Sequence, residues 1–383
     1  MTKESAMNIS IDEAVAIPIK VQIVNQLRQL ILSGDYPPNT KLPSEMELKA
    51  QLNVCRETIR QAYYELEKED LVFRVPGKGR FTKESVTRPA SNLIGYIGCD
   101  FYGIYQYQIL KGVEKAAQEK GYQIVFSNSM NELELEIKNI ERLLNERVKG
   151  ILIYPVASEE SNRRLSHYIK SCNVPFVILD RYSGELECDF VSSDNYAGAY
   201  NAVEYLIKQG HRNIAFICYP FMSMSSIIER YNGYRDALRA AGLKAAEPLL
   251  SGPADREIDP SMLIHEGPEI INMLNLRDRF AAPDRPTAVF AVSDILALVI
   301  INALEQMNIR TPQDVSVVCF DNFFINLLGK RDITYVEQNV SEIGRRGMEL
   351  ITRRIEGLKG PLKEILIPTK LKVHNSSVKP VLA

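Results

Sequence analysis

The sequence predicts an α/β protein in which a small N-terminal winged helix-turn-helix precedes a larger body of two doubly wound parallel sheets. Residues 42–82 have the pattern of two short helices followed by a hairpin, and residues 83–92 are polar and aperiodic. From residue 93 onward, short apolar runs alternate with amphipathic stretches, as in repeated βαβ units. We therefore expect a head at 1–82, a linker at 83–92 and a two-lobed body at 93–383, which suits a chain of 383 residues.

An amphipathic helix is predicted between residues 18 and 33, and the helix-turn-helix that follows contains a second one. The apolar residues of this second helix recur at helical spacing and form one stripe, which consists of Ile59, Ala62, Tyr63 and Leu66. The opposite, outward face carries Arg56, Glu57, Arg60, Gln61 and Tyr64. Arg56 and Arg60 are therefore one turn apart at the N-terminal end of a helix, where arginine can bond guanine in a major groove.

The hairpin predicted after this helix is positively charged. Residues 72–74 and 80–82 flank a tight turn at 76–79, and Lys78 lies at its tip. From residue 71 to residue 83 the chain carries four basic residues and no acidic one, namely Arg74, Lys78, Arg80 and Lys83. The net charge of the whole chain is only −2, so the local distribution, rather than the bulk charge, indicates a nucleic-acid partner.

The body alternates buried strands with helices. Strands are predicted at 93–98, 123–126, 150–154 and 175–179, with helices near 105–120, 132–147 and 159–172. The same alternation restarts with strands at 213–218, 288–292 and 315–320. Two such sheets predict two lobes with a cleft between them, and ligands of doubly wound sheets bind at the carboxyl ends of the strands.

Composition excludes several classes of protein. The six cysteines and four histidines are scattered without the spacing of a disulfide framework or a zinc site. The N-terminus lacks a basic segment followed by an apolar one, and no apolar run reaches the length of about 18 residues that a membrane helix needs. We therefore expect a cytoplasmic protein without a membrane span, a resident metal or a signal peptide.

The head resembles the GntR family of regulators. The resemblance lies in the motifs Pro43-Ser44-Glu45, Arg56-Glu57-Thr58-Ile59-Arg60 and Gly77-Lys78-Gly79. Met46 departs from the arginine of many members, and Cys55 replaces their Ser or Thr and is expected to be a poor N-cap. The resemblance implies contact with double-stranded operator DNA through Ser44, Glu45, Arg56, Glu57, Thr58, Arg60, Gln61, Gly77 and Lys78.

The body, over residues 93–375, resembles the effector domain of the LacI/GalR family, which is itself similar to periplasmic sugar-binding proteins. The matching stretches are 112–122, 148–151, 194–199, 210–216, 229–234, 293–298, 312–317 and 320–322, followed by Gln338. A GntR head on such a domain is similar in layout to the arabinose repressors of spore-forming bacteria. The resemblance implies a small-molecule effector, in particular a sugar such as arabinose, and a homodimer with helix Tyr105–Glu119 at its interface.

Sugars need planar, charge-assisted hydrogen-bonding groups and an aromatic face. Four predicted strand or helix ends offer such groups, and the expected effector-binding residues are Asp100, Tyr102, Asp180, Arg181, Arg230, Ser293, Asp321 and Gln338. The resemblance places Arg230 and Asp321 on effector hydroxyls and makes Asp294 a helix cap. The alternatives are a surface ion pair for Arg230 and a turn cap for Asp321. His211 is expected to be structural, and at least one of Tyr102, Tyr105 and Tyr107 is expected to be a core or dimer contact.

These features predict a transcription regulator, a repressor of sugar-utilisation genes that a sugar releases from DNA. A ligand-recruited activator is the first alternative. The second is an enzyme, because some GntR heads are fused to pyridoxal-phosphate aminotransferases, but the sequence offers neither a convincing Schiff-base lysine nor a phosphate cradle, and glycine-rich residues 77–79 lie on the hairpin. No cofactor is therefore expected. A secreted sugar-binding protein conflicts with the head and with the missing signal peptide.

Overall fold

The computed structural model describes residues 9–11, 18–32, 34–83, 92–99, 104–156, 159–172, 174–182, 187–218, 224–250, 276–323 and 332–380. The head contains three helices and a hairpin: α1 (Ile19–Leu32), α2 (Glu45–Leu52), α3 (Arg56–Lys68), β1 (Val72–Val75) and β2 (Gly79–Thr82). β1 and β2 pair antiparallel, so the head is a winged helix-turn-helix as predicted. Its core contains the predicted stripe of α3, with Ile59, Ala62, Tyr63 and Leu66 fully buried.

The first half of the body alternates strands and helices in the predicted order. Its elements are β3 (Leu93–Gly98), α4 (Ile104–Glu119), β4 (Gln123–Asn128), α5 (Leu133–Asn145), β5 (Ile151–Tyr154), α6 (Glu159–Ser171), β6 (Phe176–Leu179) and β7 (Asp189–Ser193). All four residues of β5 and of β6 are buried, as expected for parallel strands with both faces covered.

The second half repeats this architecture. Its elements are α7 (Asn195–Gln209), β8 (Ile214–Cys218), α8 (Ser225–Ala240), β9 (Leu249–Leu250), α9 (Leu276–Ala281), β10 (Ala288–Ala291), α10 (Asp294–Gln306), β11 (Ser316–Phe320), β12 (Thr334–Glu337), α11 (Val340–Ile355), β13 (Glu364–Ile367) and β14 (Lys370–Lys372).

The strands form two six-stranded sheets, in the orders β13-β7-β6-β5-β3-β4 and β14-β12-β11-β10-β8-β9. All described pairs in them are parallel except β12 with β14. The predicted α/β class with two doubly wound lobes is therefore confirmed. The chain changes lobe after β7, after β12 and after β13, and α11 packs into the first-lobe core through residues such as Ile343 and Ile351.

Two glycines allow α4 and α11 to approach closely. A Cβ atom at Gly112 would lie 1.9 Å from the carbonyl oxygen of Ser341, and one at Gly344 would lie 2.0 Å from that of Ile109. Any larger residue at either position would therefore push the two helices apart. The start of α4 is thus fixed relative to the start of α11, where the chain enters the first lobe from β12.

Candidate nucleic-acid interface and ligand cleft

The outward face of α3 is presented as the sequence predicts. The side chains of Arg56 and Arg60 are 66% and 62% exposed, and Glu57 and Gln61 are exposed beside them. Arg60 forms an ion pair with Glu57 one turn back, at 2.6 Å. Exposed pairs of this kind contribute little to stability, so the guanidinium is available for another partner.

Both helices of the helix-turn-helix are capped by side chains. Ser44 caps α2 in a capping box, in which its hydroxyl accepts from Glu47 N at 3.2 Å and Glu47 bonds Ser44 N at 2.6 Å. Cys55 occupies the N-cap of α3, and its Sγ accepts from Thr58 N at 3.4 Å. Cys55 therefore does fill the N-cap position, but sulfur is a weak acceptor, so the weak cap expected from the sequence stays a prediction.

Glu45 lies between the helix-turn-helix and the wing. Its carboxylate accepts from Arg56 Nε at 2.8 Å and from Arg80 Nη1 at 3.0 Å. Burial raises the pKa of Glu45, but the hydrogen bonds and charges of the two arginines outweigh this, and the net pKa is lowered. Glu45 thus remains ionised and positions Arg56 from behind.

The charge of the wing differs from the sequence-based expectation. Arg80 points inward, where it bonds Glu67 at 2.7 Å and covers the Tyr63 ring at 4.7 Å. Lys83 pairs with Asp70. Counting four basic residues from 71 to 83 therefore overstates the charge offered to a partner, because Arg80 and Lys83 are neutralised by acidic residues of the head. Arg74 and Lys78 are exposed and carry the remaining charge.

In the body, Asp180 and Asp321 occupy equivalent places in the two lobes. Asp180 follows β6 and Asp321 follows β11, so both lie at carboxyl ends of parallel strands. Both are buried, and both adopt positive backbone φ values of 70° and 65°. Left-handed backbone is uncommon outside glycine, and residues that adopt it cluster at functional sites.

A chain of hydrogen bonds joins these two carboxylates across the lobes. The hydroxyl of Tyr105, in the first turn of α4, donates to Asp180 Oδ1 and lies 3.4 Å from Gln338 Oε1. Gln338, just beyond β12, donates from Nε2 to Asp321 Oδ1 at 3.0 Å and Oδ2 at 2.8 Å. The ring of Tyr105 also meets Phe323 edge-on, with ring centres 5.8 Å apart. Asp321 is therefore bonded by another residue's side chain, which goes beyond the predicted alternative of a simple turn cap.

Burial shifts the ionisation of this network. Burial raises the pKa of Asp321 to about 7, against the opposing charge of Arg230 and the hydrogen bond from Gln338. Burial also raises the pKa of Asp180, while Tyr105, Arg181 and Arg230 act in the opposite direction. Two carboxyls that bind protons more readily than usual, at facing strand ends, are typical of a functional site.

Arg230 is a buried residue of the second lobe. Its guanidinium is buried, donates from Nε to Asn195 Oδ1 at 2.8 Å and from Nη1 to the Val292 carbonyl at 2.6 Å. Its central carbon lies 3.8 Å from the centre of the Phe320 ring. The surface ion pair considered for Arg230 is therefore wrong, because the side chain is buried and fixed inside the lobe.

Arg181 contributes a second bridge between the lobes. It lies over the Tyr154 ring at 4.7 Å and donates to Cys99 Sγ at 3.2 Å and to Met224 Sδ at 3.4 Å, and Met224 belongs to the second lobe. Next to it, Ser225 N donates to the carbonyl of Tyr182 at 2.8 Å. The first- and second-lobe walls therefore touch on this side as well.

Further predictions concern single residues. Ser293, rather than Asp294, is the N-cap of α10, since its hydroxyl accepts from Leu296 N at 3.3 Å, so the cap assigned to Asp294 is wrong. His211 is buried, and its ring nitrogens lie 2.9 Å from Thr287 Oγ1 and 2.9 Å from the Val378 carbonyl, which fits its structural role. Asp100 and Tyr102 lie outside the described residues. Asn195 and Tyr105 also belong to the cleft, although no sequence pattern predicts this role for them.

Comparison with known families agrees with both halves of this description. Residues 19–81 match the family described as bacterial regulatory proteins, gntR family, and residues 203–377 match the one described as periplasmic binding protein-like domain. The chain joins a GntR-type helix-turn-helix to a periplasmic-binding-protein-like domain. No helix of the described residues is both long and apolar enough to span a membrane.

Two relatives of this chain are transcriptional repressors by name. The chain is 26% identical over 371 residues to the arabinose metabolism transcriptional repressor of Geobacillus stearothermophilus, covering 94% of this chain and 98% of the relative. It is 27% identical over 294 residues to the transcriptional repressor PurR of Pasteurella multocida, covering 76% and 83%. These relatives regulate transcription and are not enzymes, which sets aside the aminotransferase alternative.

Solved structures share the fold of the body. The transcriptional regulator CelR in complex with cellobiose superimposes with a TM-score of 0.63 at 26% identity, over 84% of this chain and 90% of that chain. A ribose operon repressor from Burkholderia thailandensis superimposes with a TM-score of 0.61 at 26% identity, over 74% and 100%. The body of the GntR-headed chain therefore has the architecture of LacI-type regulators.

Proposed function

We propose that this protein is a sequence-specific DNA-binding repressor of sugar-utilisation genes, and that a small sugar releases it from its operator. The observation that carries the proposal is the joining of an exposed, arginine-bearing α3 to a cleft in which Asp180 and Asp321 face each other from different lobes. The relatives that are transcriptional repressors by name support this function. The protein would act in the cytoplasm. Its head would comprise residues 1–82, its linker residues 83–92 and its body residues 93–383.

The DNA-binding surface is proposed to consist of α3, the start of α2 and the wing. Arg56 and Arg60 would contact base edges in the major groove, with Glu57, Thr58 and Gln61 beside them. Lys78 and the Gly77 backbone at the wing tip would bind phosphate. Ser44 and Glu45 would act by shaping the surface, because Ser44 caps α2 and the carboxylate of Glu45 is already bonded to two arginines.

The effector site is proposed to lie between the strand ends of the two lobes. Asp180 and Arg181 would bind hydroxyls from the first lobe, with Asp100 and Tyr102 assigned by sequence alone. Arg230, Asp321, Gln338 and Ser293 would act from the second. Carboxylates beside guanidinium groups bind adjacent hydroxyls strongly and directionally, which suits a sugar. Arabinose is the first candidate, because the relative from Geobacillus stearothermophilus is an arabinose metabolism repressor.

A homodimer through α4 is part of the proposal. One face of α4 packs against α11, while Tyr107 on its other side is 52% exposed. Two-fold pairing of the bodies would present two α3 helices to symmetric half-sites. A sugar that contacts both lobes favours their closed arrangement, and closure would change the spacing of the two heads.

Titration of a DNA duplex, selected by the protein itself from a random library, tests the proposal. We expect L-arabinose, or another sugar from a panel with D-ribose, D-xylose and cellobiose, to lower duplex affinity by roughly 5- to 150-fold. Asp321→Ala should bind the duplex normally and lose the sugar response. The control is Asp314→Ala, at the opposite end of β11, where the carboxylate bonds Arg310 at 2.9 Å; it should keep the response.

Each other result has a definite meaning. A sugar that tightens DNA binding would make the protein a ligand-recruited activator. A retained response in Asp321→Ala would remove Asp321 from the site. The absence of any selected duplex would contradict the assignment of α3.

A further inference from the structure

Tyr105 is the residue of the described cleft whose side chain links the hydrogen-bond partners of both buried carboxylates. Its hydroxyl donates to Asp180 Oδ1 in the first lobe and lies 3.4 Å from Gln338 Oε1, where β12 leaves the second lobe. Its ring meets Phe323, beyond β11 in the second lobe, at an interplanar angle of 83°. A single side chain thus connects the two carboxylate sites, directly to Asp180 and through Gln338 to Asp321.

We propose that Tyr105 is a positioning residue that holds Asp180 and, through Gln338, Asp321 in the geometry that binds an effector, and so couples effector binding to lobe closure. This inference rests on the proposed function only where it concerns binding of a sugar effector. The two contacts of the Tyr105 hydroxyl carry this role. The ring packs separately against Phe323, so removal of the hydroxyl alone tests the role.

The chemistry of the network supports a directed role. Gln338 donates both of its described bonds from Nε2 to Asp321, so its Oε1 is oriented toward the Tyr105 hydroxyl. Asp180 receives the Tyr105 bond on Oδ1, which orients the carboxylate. Without the hydroxyl, a buried carboxylate and an amide oxygen would each lose a partner, and their orientations would no longer be fixed together.

The backbone supports a precise Tyr105–Gln338 distance. Tyr105 lies in the first turn of α4, and Gln338 lies two residues before α11 begins. The glycine contacts of Gly112 and Gly344 fix these two helices against each other. A hydroxyl on α4 is therefore presented at a set distance from the segment that leads from the second lobe into α11, which is what a positioning residue requires.

The test uses full-length protein and conservative variants. Tyr105→Phe removes the hydroxyl alone, and Gln338→Met removes its acceptor. Tyr122→Phe is the matched control, because Tyr122 directly precedes β4, where Lys149 Nζ lies 5.6 Å from its ring centre, and belongs neither to the cleft nor to the proposed interface. Without sugar, amide hydrogen exchange is followed in peptides covering β6 with Asp180 and β12 with Gln338. We expect faster exchange in both peptides for Tyr105→Phe and for Gln338→Met, and parental exchange for Tyr122→Phe.

The second arm measures binding of L-arabinose, D-ribose, D-xylose and cellobiose by calorimetry. For a sugar that binds the parent, Tyr105→Phe should weaken binding by roughly 10-fold or more, since a hydrogen bond to a charged group is lost, while affinity for the selected duplex stays unchanged. The double variant should be no weaker than the weaker single variant, because both substitutions break one bridge. A purely structural role would instead give additive losses.

The outcomes separate this inference from the proposed function. If Tyr105→Phe exchanges and binds sugar as the parent does, or if the two losses add, the inference is overturned. If no sugar of the panel binds the parent, the proposed effector class fails, and the exchange result alone decides whether Tyr105 ties the lobes together. If Tyr105→Phe does not fold, Gln338→Met carries the same comparison against Tyr122→Phe.

Discussion

The carboxyl group of Asp321 should destabilise the protein at neutral pH, and replacing it by asparagine should raise the free energy of unfolding there. Burial raises the pKa of Asp321 from 3.8 to about 7 in the folded state. The folded protein therefore binds this proton more tightly than the unfolded chain does. The stability that this bound proton gives to the folded protein is fully present below about pH 4 and is lost as the pH rises through about 7.

The size of the effect follows from this gap. A difference between 3.8 and about 7 corresponds to about 4 kcal/mol of stability lost once Asp321 is ionised in the folded protein. In the parent, Gln338 donates to both carboxylate oxygens of Asp321. Asparagine offers it only one acceptor oxygen, so the substitution also costs about 1 kcal/mol for the lost hydrogen bond. We therefore expect Asp321→Asn to be about 3 kcal/mol more stable than the parent at pH 8, and no more stable than the parent near pH 4.5.

Urea unfolding of parent and variant between about pH 4.5 and pH 8 measures this difference. Asp314→Asn is the matched control with the opposite sign. The Arg310 hydrogen bond lowers the pKa of Asp314 to about 2, so its carboxylate stabilises the fold above pH 3.8 and the control should be less stable at neutral pH. A stability difference for Asp321→Asn that stays constant across the pH range would refute the reasoning. Gained stability with a lost sugar response would identify Asp321 as a functional residue.

The remaining predictions concern DNA binding and assembly. Arg60→Ala should cost about 1–3 kcal/mol on the selected duplex and relax base preference at its contact position, as measured by titration against single-base variants of the duplex. Lys78→Ala should weaken binding to all duplexes alike and reduce its salt dependence; a loss confined to one sequence would contradict a phosphate contact. Light scattering of the full-length protein should show a dimer, and a monomer at micromolar concentration would count against pairing through α4.

Sequence pattern predicts local features of this fold well. The buried stripe of α3 and the strand β3 follow from periodicity alone, because each depends on neighbours within a few residues. β12, β13 and β14 were not predicted. These strands are three or four residues long, and β13 and β14 are half exposed, so their sequences carry little apolar signal. Their pairing depends on strands far away in the chain.

Some residues of the candidate site could be predicted from local sequence, and others could not. Asp180 and Asp321 could be found because each follows a strongly apolar run, and the carboxyl ends of such strands are where ligands bind. Tyr105 could not be assigned, because its role depends on Gln338, a residue 233 positions away. The inward direction of the Arg80 side chain could not be predicted for a similar reason. Its partners Glu45 and Glu67 belong to two different helices, and counting charges along the hairpin takes no account of them.

The late return of the chain to the first lobe sets the order in which the protein can be completed during synthesis. β7 gains its outer neighbour, β13, only when residues 364–367 have been made, and α11 supplies buried residues such as Ile343 and Met348 to the same lobe. A ribosome-bound chain that ends before α11 therefore exposes an unfinished apolar surface, whereas the head already has its core by residue 72. Premature termination or cleavage anywhere in the second lobe thus leaves both lobes incomplete and only the DNA-binding head intact.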